Sequence, residues 1–592
     1  MMQEERKANK QATIFPDCHG DGYPFESNLF GINLEITRKG VFGGISAQML
    51  NNRKLYMGTE GVDGWICDRF ERVSDRPEES LCGSSFVILR DGSMAQSSEY
   101  IFLTEGTEYE AKVWIKAYSS DATVTFGVEG FEQTVAVVSD NLPYREFSFR
   151  FHGRGLECGT FRITVRGEVA VYEASLMPAD HFYGMRWDVI RHLQAIAPTS
   201  LRFPGGCAAD HFDWHECLKA PEFRKPADGR SKAKFLFCDT YHQDSMDIGL
   251  NEFFMLCREL GAEPECTVSL ILSDGEDARR MVEYCNGDAT TEYGKKRHAL
   301  GFEPFNVHLW YIGNEAYFFG GKYQDSTLAA NRSDELITAM KQADPSIAVA
   351  IGLTWREEFQ GWAYDFMENL KSDFDYVSYH DYIGRICDRG QDSKGMASCD
   401  MLESIFADGE CLGLNFYRNR LYADCFEKIR ICVDEWNYSW GKTSSNALFF
   451  SNALQLHFFA KSKESYHVDR AEFFMAINEG LVSVRGELSK IESTGELFRL
   501  MAGHKKGRVI PCESDLSSLD ILCTDHGDHL YISVINRGAE AVTLNVKDHV
   551  MTACTEIAVA EYSFESNEYE VAEREVGIIH GHSMSFLTLA RQ

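Results

Sequence analysis

Eight short apolar runs, several of them separated by amphipathic segments, constrain the fold of this chain more than any other feature. They fall at 28–35 ("NLFGINLE"), 199–204 ("TSLRFP"), 265–272 ("ECTVSLIL"), 308–313 ("HLWYIG"), 346–352 ("SIAVAIG"), 375–380 ("DYVSYH"), 430–435 ("RICVDE") and 472–478 ("EFFMAIN"). Between the first two, Trp187, Ile190, Leu193 and Ala197 recur at helical spacing. Phe253, Cys257 and Leu260 form another helical face, and Gly261 supplies the stop. Strand and helix repeated in this way predict an α/β fold, a (β/α)8 barrel whose active site lies at the C-terminal ends of the strands. A doubly wound sheet would normally show a glycine-rich first turn, which this chain lacks.

Two regions break the pattern. From 66 to 180, segments such as "TEYEAKVWIKAY" and "GTFRITVRGEVAVYEA" alternate with period two, which reads as an inserted β-sandwich. The tail from 495 to 592 reads as a second, C-terminal β-sandwich. The expected organisation is therefore an N-terminal segment (1–27) pairing with that tail, a first barrel strand and its turn (28–65), the insert (66–180), the rest of the barrel (181–494) and the tail.

A chain of 592 residues exceeds a single core, which agrees with this division. Its net charge of −31 argues against a nucleic-acid or anionic-membrane partner and favours a neutral ligand. The 18 cysteines form no Cys-x-x-Cys pair, and the charged N-terminus lacks the apolar core of a signal peptide. These features suit free thiols in a reducing cytoplasm. No apolar stretch of about 18 residues suggests a membrane span. Neither a phosphate-binding loop nor a zinc-protease helix is found, so no cofactor and no metal is expected.

Chemistry concentrates at two strand ends. "WYIGNEAY" places Glu315 after the fourth strand, and "RICVDEWNYSW" places Glu435 after the seventh. Both acids would then face one pocket, and two carboxylates flanking a sugar-sized cleft are what glycoside hydrolysis needs. Two like charges at close range cannot both ionise cheaply, so one carboxyl keeps its proton as the acid while the other stays charged as the nucleophile. A Gly-Asn-Glu tripeptide alone is a weak signal, and a lone glutamate at a strand end is more often an ion-pair partner. The joint placement carries the reading.

The ordered segments "LFGINLEITRKGVFGGISAQMLNNR", "LRFPGGC", "EPFNVHLWYIGNEAY", "SYHDY" and "VDEWNYSW" resemble glycoside hydrolase family 51, chiefly α-L-arabinofuranosidases, over nearly the whole chain. The resemblance implies a retaining exo-hydrolase acting on arabinose-containing oligosaccharides, with Glu315 as acid/base and Glu435 as nucleophile. It implies that Asn314 binds the sugar 2-hydroxyl, Glu35 binds hydroxyls at the far end of the ring, Tyr382 supports the nucleophile, and His380 orients the acid or a hydroxyl. His380 also has an ordinary reading as a packed strand-end histidine. The resemblance also makes the 66–180 insert a carbohydrate-binding-like β-sandwich, with a spacer that buttresses the barrel as the alternative. Members are often oligomeric, and no self-complementary patch can be read here.

The chain departs from the pattern at Cys207, where many bacterial members carry Asn, and at Asn478 and Glu479, where they often supply Gln. Cys207 is read as a weak substrate contact rather than a nucleophile. Trp214, Trp436 and Trp440 are candidates for sugar stacking, with core packing as the alternative. The unfamiliar stretch 215–247 is expected to form a long loop on the active-site face. Two alternatives stay open: the same two-glutamate chemistry on another glycoside, of β-xylosidase or endo-glucanase type, or a sugar-binding protein built on an inactive barrel.

Overall fold

The structure, a computed structural model, describes residues 10–58, 61–140, 142–228, 243–354, 357–383, 402–407, 430–438, 445–559 and 568–591. At its centre eight parallel strands close into a barrel: β1 (Gly31–Asn33), β2 (Ser200–Phe203), β3 (Glu263–Val268), β4 (Leu309–Ile312), β5 (Ala348–Gly352), β6 (Tyr376–Tyr382), β7 (Arg430–Asn437) and β8 (Val468–Phe473). Closure is made where β8 returns to β1, pairing Glu472 with Gly31 and Phe473 with Ile32. A closed ring of strands leaves no edge exposed.

Helices pack outside the ring. Trp187–Ile196 buries Val189, Ile190 and Leu193 and stops at Ala197, whose φ is 55°. Leu250–Leu260 ends at Gly261 with φ 65°, a left-handed position that glycine reaches without a Cβ penalty. Ser326–Ala343 starts on Asp325, whose side chain accepts from the backbone N–H of Leu328. Among the described residues no helix is long and apolar enough to cross a membrane.

The last strand differs from the sequence expectation. It is "VDRAEF" rather than the apolar run 472–478, which begins only as β8 ends. The reason is that the barrel's interior, though partly apolar through Leu309, Tyr311, Ala350 and Cys432, carries a charged cluster where β8 faces it. Arg470 on β8 reaches Glu265 and Glu263 on β3, a strand that is not its neighbour, so the contact crosses the barrel. The Tyr311 hydroxyl donates to Glu265 at 2.8 Å within the same cluster.

Residues 66–178 form an eight-stranded antiparallel sheet in which Phe86–Ser98 pairs three strands. It curls round a core that includes Tyr109, Val113, Phe126, Phe161 and Leu176. Its two edge strands, Phe131–Val137 and Arg145–His152, meet through stacked Phe131 and Phe151 rings 4.8 Å apart. Beyond the barrel, Leu519–Asp525, His529–Asn536, His549–Val559 and Ser583–Arg591 lie in a seven-stranded sheet. Lys10–Pro16 pairs with Val542–Val546 in parallel and with Cys512–Ser514 antiparallel, which ties the start of the chain to its end.

Candidate active site

Glu315 sits in the turn that follows β4, with φ 43° and ψ 46°, a left-handed conformation rare for a non-glycine residue. Such strain costs about 1–3 kcal/mol and persists only where surrounding contacts hold it. Those contacts come from Asp210, which is buried behind the turn. One of its oxygens accepts from the Leu270 N–H at 2.6 Å, and the other from the Asn314 N–H at 3.1 Å. Burial pushes the Asp210 carboxyl up to about 6, although the backbone N–H groups of Asn314 and Leu270 oppose the shift.

Glu435 lies within β7, opposite His380 on β6, and a break in the pairing register between Ser378 and His380 re-aims the histidine. The His380 Nδ1 is 2.8 Å from a Glu315 oxygen and 3.4 Å from a Glu435 oxygen. One oxygen of each glutamate and a ring nitrogen of His380 all lie within 4.8 Å of one another. The Tyr382 hydroxyl donates to Glu435 at 3.0 Å, and that of Tyr317 to Glu315 at 3.3 Å. On the opposite side Arg202, from β2, donates to Glu435 at 3.0 Å and to the Asn314 side-chain oxygen at 2.8 Å. The same guanidinium lies 3.2 Å from Asp434, whose other oxygen accepts from Ser378 at 2.6 Å.

The charges nearly balance: Glu315, Asp434 and Glu435 against Arg202 and His380. Burial works against the His380 charge, yet Glu435 and Asp434 outweigh it and hold the imidazole well above its usual range. Burial also works against the Asp434 charge, but Arg202 and His380 hold that carboxyl below the usual carboxylate range. Burial, with Glu315 and Glu35 adding to it, pushes Glu435 up even though His380 and Arg202 pull it down. Tyr382 is pushed well above its ordinary range by burial and by Glu435, so its hydroxyl stays protonated and available to donate. Among the described residues, Glu315, His380 and Glu435 are the group with donor spacing suited to a metal ion. In this arrangement, protonated His380 and Arg202 supply the positive charge.

The loop after β2 closes the site. Gly205 has φ 95°, and a side chain on it would strike Glu35; one on Gly206 would strike the Glu435 carboxylate. This is the physical demand behind Pro-Gly-Gly. Glu35 is buried under that loop, where it accepts from the Ala208 N–H at 3.0 Å and from the Thr37 hydroxyl at 2.5 Å. Cys207 follows the glycines, and burial, with Glu35, Glu315 and Glu435 nearby, pushes its thiol well above the ordinary range. It is therefore a poor nucleophile.

Thus Glu315, Glu435, Asn314, His380, Tyr382, Glu35 and Cys207 come together in one site. Glu479 is drawn in through Arg38, at 3.1 Å, whose guanidinium stacks on Phe474. Asn478 does something else: its amide donates to the carbonyls of Lys39 and Gly43 and accepts from Val484 N–H, so it fastens a loop. Trp436 is corrected from sugar wall to core. It is fully buried between Phe459, Phe473 and Phe498, because alternation along β7 turns it outward when Glu435 points inward. Trp214 is also buried, donating to Asp277. Trp440, and residues 229–242 of the expected long loop, lie outside the described residues. Arg202, Asp434 and Asp210 were not singled out from the sequence. Arg202 had a signal, a charge inside the apolar run "SLRFP".

Residues 192–385 match the family model described as the α-L-arabinofuranosidase 1 domain. The chain is 26% identical over 295 residues to an intracellular exo-α-(1→5)-L-arabinofuranosidase of Acetivibrio thermocellus, covering 48% of this chain and 55% of that one. It is 23% identical over 352 residues to an extracellular exo-α-L-arabinofuranosidase of Streptomyces chartreusis, covering 51% and 42%. The chain thus spans about half the length of the curated relatives it matches. The structure superposes on an arabinose-bound MgGH51 α-L-arabinofuranosidase with a TM-score of 0.73 at 15% identity, covering 98% of this chain and all of that one.

Proposed function

We propose, for a chain that resembles glycoside hydrolase family 51 in motif order, in sequence and in fold, that this protein is a retaining exo-acting glycoside hydrolase releasing terminal α-L-arabinofuranosyl residues. The observation that carries the proposal is the approach of Glu315 and Glu435 to within 4.8 Å of each other and of His380. Retaining enzymes hold their carboxyl groups about 5–5.5 Å apart, whereas inverting enzymes need a wider gap to admit water.

In the first step a Glu435 oxygen attacks the anomeric carbon while Glu315 gives its proton to the departing glycosidic oxygen. In the second, Glu315 takes a proton from water, which attacks the same carbon and releases Glu435. Arg202 and Tyr382 hold Glu435 in position and share its charge. His380 lies beside both acids and offsets negative charge as the proton moves between steps. Asn314, fixed by Arg202 through its oxygen, is left with its amide N–H groups to donate to the sugar 2-hydroxyl, a contact that tightens as oxocarbenium charge develops. We place the protein in the cytoplasm, a reading supported by the free cysteines among the described residues and by the name of the Acetivibrio relative.

Glu435→Ala should abolish turnover of an aryl α-L-arabinofuranoside, and azide should restore part of it as the glycosyl azide. Undiminished activity in that variant would remove Glu435 from the role. A panel of aryl glycosides tests the sugar: release from the xyloside or glucoside with none from the arabinofuranoside would overturn the assignment.

A further inference from the structure

We infer that an aromatic shelf beside Glu315 holds the leaving group of the reaction and favours one that is itself aromatic, an arylalkyl alcohol. The chemistry rests on the proposed function, which makes Glu315 the acid, while the shelf rests on its own side chains. A general acid must come within hydrogen-bond reach of the oxygen it protonates. The leaving group therefore lies on the Glu315 side of the pocket, and whatever lines that side decides which leaving groups are accepted.

Loops after three adjacent strands, β3, β4 and β5, meet on that side. Glu315 leads directly into the short helix Ala316–Phe319. Tyr317 is buried, with its hydroxyl on Glu315 at 3.3 Å and its ring 5.2 Å from that of Phe359, which stands at the start of the helix Gln360–Asn369 after β5. Phe318 meets Phe359 at 5.7 Å and Phe319 at 4.3 Å, both at steep angles between the ring planes, yet 42% of it stays exposed. Contacts thus run without a break from the acid, through Tyr317 and Phe359, to a phenyl group open to solvent. The loop after β3 borders the same turn. Asp210 holds the backbone of Leu270 and of Asn314 together, and Leu272, two residues on, is 53% exposed.

The side chains of Phe318, Phe359 and Leu272 present only carbon and hydrogen to a ligand. A saccharide laid on them would give up water at its hydroxyl groups without a partner from these three side chains. A flat aromatic ring loses no such bonds and gains offset or edge-to-face contact with the phenyl groups. The one hydroxyl in the run, that of Tyr317, already donates to Glu315, and its ring is covered by Phe359 and Trp362. Contact with the shelf acts on the first step alone, because the leaving group has departed before water attacks. It therefore raises kcat/KM for aromatic substrates and leaves the second step untouched.

The test measures kcat/KM of the full-length protein on naphthylmethyl and methyl α-L-arabinofuranosides and on α-1,5-linked arabinobiose. All three release an unactivated alcohol, so leaving-group acidity does not separate them. In Phe318→Ala the naphthylmethyl-to-methyl ratio should fall about fivefold or more, through KM rather than kcat wherever the second step limits. Phe318→Trp should restore most of it. Phe318 is exposed, so the folding of either variant is not in question. An equal loss on all three substrates would show only a disturbed Glu315 and would overturn the inference, as would an unaltered ratio. A fall in the arabinobiose-to-methyl ratio as large as the naphthylmethyl one would overturn the aromatic preference. Failure of the wild type on every arabinofuranoside would count against the proposed activity instead. The shelf is then read by titration with naphthylmethanol, and binding that is absent, or that Phe318→Ala does not weaken, overturns it.

Discussion

Arg202 reaches across the barrel from β2 to contact Glu435, Asp434 and Asn314 at once, with its guanidinium over the Tyr311 ring. Each contact favours a charged or oriented partner, so losing Arg202 disturbs charge as well as shape. Removing one member of a buried ion pair costs about 3–5 kcal/mol. Arg202→Met should therefore lower the melting temperature. It should also move the acid limb of the kcat/KM profile to higher pH, because Glu435 then lacks a cation favouring its ionised form. An unmoved acid limb would mean that Glu435 is not the group titrating there. Asp434→Asn tests the far side of His380, whose Nε2 lies 3.5 Å from Asp434. With one anion gone the imidazole becomes less basic, and kcat should fall more than KM changes. The glutamates were legible in the sequence because two of them follow apolar runs, the fourth and the seventh, which a barrel brings to one rim, whereas either alone reads as an ion-pair partner. Arg202 and Asp434 were not, because a charge within or beside a strand reads equally as solvent-facing until the barrel shows which way it points.

At the level of single elements, β8 shows where pattern reading fails. Six residues, "VDRAEF", include three charges and still form a strand buried in the closed barrel. Hydrophobic alternation assumes an apolar interior, and here Arg470 and Glu265 make that interior ionic, so the neighbouring apolar run looked like the better strand. Seven of the strands were legible since each overlaps an apolar run of the sequence, even where a charge such as Arg202 on β2 or Glu265 on β3 interrupts it. Within β8, Glu472 is buried with no hydrogen-bond partner for either carboxylate oxygen, and burial, with Glu265 adding to it, pushes it well above its ordinary value. The folded state thus keeps a proton that the unfolded chain releases above the ordinary glutamate pKa, so this group costs more stability as pH rises. Glu472→Gln should raise the melting temperature at pH 8 and change it little near pH 4, where both states are protonated. An equal shift at both pH values would show that the effect is packing rather than ionisation.

Across the whole molecule, the barrel and the C-terminal sheet are joined by a chain of hydrogen-bonded histidines. His457, on the helix Ser445–Lys461, bonds Asp520 at 2.6 Å and Ser533 at 2.7 Å. Ser533 also meets His504 at 2.9 Å, and His504 continues to Thr524 at 2.9 Å and Thr524 to His526 at 3.1 Å. One proton assignment satisfies the chain with every imidazole neutral: each ring donates through one nitrogen and accepts through the other or leaves it to solvent. Burial pushes His504 well below its usual range, with His457 and His526 adding to the effect, and burial lowers His457 despite Asp520. Lys461, 2.9 Å from Asp520, adds a further charge that a protonated His457 would face. A base made less basic by folding binds its proton more readily once unfolded, so the junction is at full strength above about pH 6.5, the ordinary histidine value, and weakens as pH falls below it. Calorimetric melting should therefore show a steep loss of stability between pH 7 and pH 5. His504→Gln keeps a donor and an acceptor at the junction but cannot take up a proton, so it should flatten that slope even if it melts lower at pH 7. Unaltered slopes in both His504→Gln and His457→Gln would place the acid sensitivity elsewhere, in other histidines that burial makes less basic, such as His181 and His582.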